Sequence, residues 1–80
     1  MAGTVRAYIL IQTAVNAGHV AREIRDIEGV EAAEDVSGPY DVIVQLEADD
    51  LDRLGNAITD AVQKVSGVQR TTTCLAVRLA

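Results

Sequence analysis

The stretch EDVSGPYDVIVQLEADD, residues 34–50, decides how the rest of the chain is read. Val42, Val44 and Leu46 alternate with Ile43 and Gln45, the two-residue period of a strand whose side chains point to opposite faces. Gly38-Pro39 just before it is a turn dipeptide, with proline fixing its own φ and glycine tolerating conformations other residues avoid. Upstream, VEAAEDVS (residues 30–37) reads as a weaker strand, with Val30, Ala32 and Val36 expected on one side. Strand, turn and strand make a hairpin. Downstream, Asp49 or Asp50 can cap a helix, because a carboxylate there accepts the unpaired amides of the first turn and favours the positive end of the helix dipole.

That helix, DDLDRLGNAITDAVQKVSG (residues 49–67), is the clearest in the chain. Leu51, Leu54, Ile58, Ala61, Val62 and Val65 fall within an arc of roughly 100°, the usual width of a core-facing stripe. Gly67 suits the left-handed stop after it. On the other side of the hairpin, VRAYILIQ (residues 5–12) carries apolar residues on both faces and reads as a central strand. NAGHVAREIRDIEG (residues 16–29) places Ala17, Val20, Ala21, Ile24 and Ile27 on one helical face; Asn16 or Thr13 can cap it and Gly29 can stop it. The last strand, VQRTTTCLAVRL (residues 68–79), alternates: Gln69, Thr71, Thr73, Leu75, Val77 and Leu79 on one face, Val68, Arg70, Thr72, Cys74, Ala76 and Arg78 on the other. The order βαββαβ, with right-handed crossovers, predicts an α+β ferredoxin-like sandwich. Its four-stranded antiparallel sheet carries both helices on one face, in the spatial order 4-1-3-2.

Composition narrows the function. Eighty residues make one domain, here spanning 1–80 with its core over 5–79. A net charge of −5, with seven scattered Lys and Arg, argues against nucleic acid as a direct partner. Cys74 and His19 are each alone, so neither a disulfide nor a zinc cluster is expected, and no other metal or cofactor. His19 reads as a solvated or capping residue, and Cys74 as a small interior or interface hydrophobe. The longest apolar run, AYILI, is far too short to cross a membrane, and the reading is a cytoplasmic protein. Two helices cover one side of the sheet only. The other side presents Thr72, Cys74 and Ala76 with one row each from the first and third strands, and either row of the first strand is apolar enough to qualify. Packing two such faces together hides on the order of 800 Å² per partner, so an obligate homodimer is expected.

AYILIQT (7–13), GVEAAEDVSGPYDVIVQLEADDLDRLG (29–55) and GVQRTTTCLAV (67–77) together resemble the ligand-binding, or RAM, domain of the Lrp/AsnC transcription regulators. The pattern V-x-G-x-Y-D, filled by Val36, Gly38, Tyr40 and Asp41, carries the resemblance most specifically, and Arg70-Thr71-x-Thr73 comes second. The resemblance implies a free amino acid as effector, bound where dimers meet in rings of eight or ten subunits. It places that effector between the turn after the second strand and the final strand of a neighbour. Full-length members carry a helix-turn-helix domain ahead of this part. Here only Met1–Thr4 precede the first strand, so a stand-alone version is expected, with a full-length regulator as a possible partner in mixed assemblies.

The chemistry agrees with that implication. A zwitterion needs donors for its carboxylate and acceptors for its ammonium. Gly38 allows close backbone approach and the turn's N–H groups can cradle an anion. Asp41 offers a carboxylate, Thr71 and Thr73 offer hydroxyls, and Tyr40 offers a flat wall with a polar tip. Each residue also has a plainer role: Gly-Pro as a turn, Asp41 as a cap of its own turn, the threonines as strand formers, Tyr40 as a packing residue. Two other functions compete on the same frame: a small cofactor-independent monooxygenase or isomerase, and an assembly module without ligand. Against the enzyme, the space between sheet and helices is filled with Val, Ile and Leu, and no proton-handling group clearly points inward. No catalytic residue is assigned.

Overall fold

The computed structural model describes residues 4–14 and 17–77. Asn16, offered above as a cap, and Arg78 and Leu79 at the end of the last strand lie outside them. The elements follow the expected order: β1 (Val5–Thr13), α1 (Val20–Arg25), β2 (Val30–Asp35), β3 (Val42–Ala48), α2 (Leu51–Asp60), a 3-10 turn (Val62–Lys64) and β4 (Val68–Leu75). The strands lie side by side as β2-β3-β1-β4, every neighbouring pair antiparallel, with β1 and β3 central. The ferredoxin-like arrangement is the one the sequence predicts.

The core sits between the sheet and the helices. Ala7, Ile9 and Ile11 of β1 and Val42, Val44 and Leu46 of β3 are fully buried there, with Val20, Ala21 and Ile24 of α1 and Leu54 of α2 closing over them. No polar side chain is buried among the described residues. The core is therefore purely aliphatic. Its stability rests on apolar area removed from water, about 25 cal/mol per Å².

Three local expectations are corrected. Ala32 does not share the core side with Val30. The pairing register shifts between them, so that Ala33 faces Val44 and is buried while Ala32 lies opposite Gln45. A bulge inserts one residue and turns the rest of the strand over. The first helix is only six residues long; His19 holds its N-cap position without a side-chain cap, and Thr13 is the last residue of β1. The second helix stops at Asp60, because Ala61 has φ −123° and ψ −62°, outside the helical basin, and only a 3-10 turn continues the stripe. The capping expectation holds at Asp50, whose carboxylate accepts the Arg53 N–H at 2.8 Å.

Register decides which row of the first strand faces away from the helices. Tyr8 lies opposite Gln45 and Cys74, and Leu10 opposite Ile43 and Thr72. Paired residues share a face, so Arg6, Tyr8, Leu10 and Gln12 occupy the side away from the helices. On that side Tyr8 and Cys74 are exposed, and Leu10 and Ile43 are only half-covered. Helical cover is also incomplete at β4. Leu75, opposite buried Ala7, remains 50% exposed, and Leu51 at the start of α2 remains 58% exposed.

Candidate functional site

The turn between β2 and β3 is tied to the end of β1 by the backbone. Asp41 N–H donates to the Ile11 carbonyl at 2.8 Å, and Val36 N–H donates to the Asp41 carbonyl at 2.9 Å. The Asp41 side chain adds a third tie: its Oδ2 accepts the Thr13 N–H at 2.9 Å. Gln12 Nε2 donates to the Pro39 carbonyl at 3.2 Å. A carboxylate of an exposed residue is thus held at the end of the central strand, where β1 leaves the sheet. Gly38, at φ +152°, supplies the backbone freedom that the turn needs.

Beside Asp41 opens a cleft of about 410 Å³ between this turn and the β1–α1 connection. That volume lies within the range of small-ligand sites. Its polar lining is Thr13, Asp35 and Asp41, and its apolar lining includes Ala14, Ala17 and Val36. Ala14 and His19, on either side of that connection, are tied to the residues just before β4. Ala14 N–H donates to the Gly67 carbonyl at 2.9 Å, and His19 Nε2 donates to the Ser66 carbonyl at 2.6 Å. His19 therefore does more than face solvent: it joins two loops at the site's end of the sheet.

The expected residues are distributed as follows. Asp41 lines the cleft; Gly38 is exposed at the tip of the turn, and Tyr40 is half-buried next to Asp41. Thr71 and Thr73 lie on β4, opposite Ile11 and Ile9, on the far side of β1 from the turn. The Thr71 hydroxyl accepts a bond from Gln63 Nε2 at 2.9 Å. Within one chain, then, Thr71 stands toward the turn's end of the sheet and Thr73 nearer its middle, both on the opposite flank of β1. Sequence reading missed Asp35, Thr13 and the small residues of the β1–α1 connection. No periodicity announces them: Thr13 and the small residues meet the turn only through tertiary folding, and Asp35, in the same hairpin, reaches the cleft through the shifted register of β2.

A larger groove, about 630 Å³, opens at the opposite end of the sheet between Ile27–Gly29, the end of β3 and α2. None of the expected residues lines it. Of its charges, Glu47 is paired with Arg6 from the neighbouring strand and Arg53 reaches Asp49 at 3.4 Å, while Glu28 and Asp60 also line it. The Arg6 guanidinium is held above its usual range, chiefly by the hydrogen bond to Glu47 and then by Tyr8. No group of three or more metal-ligating side chains gathers among the described residues, and no helix there is long and apolar enough to cross a membrane.

The fold is that of a small ferredoxin-like α+β domain. The chain belongs to the Lrp/AsnC ligand binding domain family, which matches residues 6–79. Among solved structures it is similar to FFRP-DM1, at 35% identity and a TM-score of 0.85, covering 91% of this chain and 99% of that one. The feast or famine regulatory protein of M. tuberculosis complexed with L-methionine shares the fold, at 16% identity and a TM-score of 0.79, over 94% of this chain and 51% of that one. A homocitrate synthase of Sulfolobus acidocaldarius is 43% identical over 56 residues, which is 70% of this chain and 12% of that protein. The chain therefore spans a small fraction of the length of that curated relative.

Proposed function

We propose that this chain is a non-enzymatic amino-acid sensor that acts in the cytoplasm through its own assembly. The observation that carries the reading is the Asp41 carboxylate, fixed by the Thr13 N–H at the mouth of the cleft. An effector's ammonium meets that carboxylate, the turn around Gly38 and Tyr40 lies beside it, and its carboxylate is met by Thr71 and Thr73 of an adjacent subunit. The methionine carried by the M. tuberculosis regulator supports the ligand class. Copies pair through the helix-free face around Tyr8, Leu10 and Ile43, and dimers assemble further into octamers or decamers, alone or with a full-length regulator of the family. In the family, effector binding and transcription regulation are linked; here the output is the state of the assembly.

The similarity to part of a homocitrate synthase favours a second reading, in which the same domain reports amino-acid levels to a biosynthetic enzyme rather than to a DNA-bound regulator. Thermal-shift measurements against the twenty amino acids test what both readings share. Stabilisation by one or a few of them, lost in Asp41→Ala, is the expected result. No shift with any amino acid leaves an assembly module without ligand.

A further inference from the structure

We propose that two copies pair their helix-free faces about a two-fold axis along the strands, so that β2 of one copy lies over β4 of the other and Glu34 meets Arg70. This rests on the pairing through that face given above and adds its orientation. Strand register puts both residues on the face. Glu34 lies opposite Ile43 and Ile43 opposite Leu10, while Arg70 lies opposite Gln12. Both are exposed, and neither enters an ion pair among the described residues. Glu34 stands on one margin of the sheet and Arg70 on the other, three strand spacings or roughly 14 Å apart, with Ile43 and Leu10 between them. The two charges therefore do not satisfy each other within one chain. Arg6 and Glu47, the other charged residues paired across this face, already hold each other.

Apolar burial does not choose the orientation, because Leu10 and Ile43 lie at the centre of the face and any face-to-face packing covers them. Charge does choose. An axis across the strands lays β2 over β2 and β4 over β4, acid on acid and base on base. An axis along the strands exchanges the margins and brings each Glu34 over β4 of the other copy, level with Thr72 and one row from Arg70. Stacked sheets lie about 10 Å apart, a gap that the long glutamate and arginine side chains close together. Two-fold symmetry makes the contact twice. Ion pairs at a wet rim contribute little to affinity, but they penalise the packing that sets like charges together, and so fix the orientation.

Charge reversal tests the pair by sedimentation equilibrium of the whole chain at low salt. Glu34→Lys and Arg70→Glu are each expected to weaken self-association about tenfold, since attraction becomes repulsion at both symmetric contacts. The variant carrying both changes is expected to return to the native constant, which also shows that neither substitution damages the fold. Raised salt is expected to draw the constants together. Single variants that associate as the native protein does overturn the proposal, as does a double variant no stronger than the singles. Co-expressed native and Glu34→Lys chains that form mixed dimers beyond the statistical proportion place β2 over β2 and overturn it too. A native protein that stays monomeric overturns the pairing itself.

Discussion

Gly29 and Gly38 both have positive φ, yet they answer to different constraints. A Cβ on Gly29, at φ +93°, would stand 2.7 Å from the Glu47 carbonyl oxygen and 3.3 Å from Leu46 Cδ1, so backbone has to move. A Cβ on Gly38 would meet nothing within 4 Å. Gly29→Ala is therefore expected to lose roughly 2–3 kcal/mol or more, and Gly38→Ala only about 1 kcal/mol from its dihedral. Urea unfolding midpoints check the order. Asp41 separates two roles in the same way. Asp41→Ala removes the acceptor of the Thr13 N–H and is expected to cost about 1 kcal/mol. Asp41→Asn keeps an acceptor oxygen but not the charge. It should retain most of that stability while losing the thermal response to amino acids, whereas loss of both together would make Asp41 a structural residue only.

The elements differ in what holds them. α2 carries its own N-cap, and Asp50→Ala should cost about 1 kcal/mol by thermal unfolding. α1 has six residues, too few to persist alone, and no side-chain cap. It is held by Val20, Ala21 and Ile24 in the core and by the His19 contact to Ser66. Ile24→Ala should accordingly cost about 2–5 kcal/mol, more than loss of the α2 cap. This contrast explains what was legible in the sequence. Strands β1, β3 and β4 and the cap of α2 are local: alternation and a carboxylate at the right offset suffice. The bulge that buries Ala33 and turns Ala32 to the other face is set by the register against β3, and the break at Ala61 accompanies packing of the 3-10 turn near β4. Neither leaves a trace in period. The turn motif around Asp41 could be read because it is contiguous, whereas Thr13 and Ala17 reach the cleft from parts of the chain that only the folded sheet brings to it.

For the whole molecule, the helix-free face is the feature with most at stake. Leu10 and Ile43 stand directly opposite each other at its centre, flanked by Tyr8 and Thr72. If copies pair there, a carboxylate placed at Ile43 is buried without a partner on association, at a cost of several kcal/mol per subunit. Ile43→Glu is thus expected to elute as a monomer by light scattering. The native protein is expected to show an unfolding temperature that rises with concentration, as it does for coupled folding and association. A native protein that is monomeric and equally stable at every concentration would contradict the pairing. The Arg6–Glu47 pair at the border of this face gives no pH signature through its arginine. Its guanidinium value is raised, so that contribution is complete below the ordinary arginine value and fades only as pH climbs through the higher folded one.

The two margins of the sheet are finished differently. β2 ends it on one side with a bulge and with Glu31, Glu34 and Asp35, while β4 ends it on the other with a run of threonines and only Arg70 as a charge before Leu75. Both rims carry an irregularity in their pairing, so the difference lies in charge: an acidic rim repels an incoming chain, whereas a hydroxyl-rich one accepts it. Runaway stacking needs two receptive rims per molecule. With one rim closed, growth along the sheet halts after a single addition, and the threonine rim is the place where a charged substitution would change solubility first.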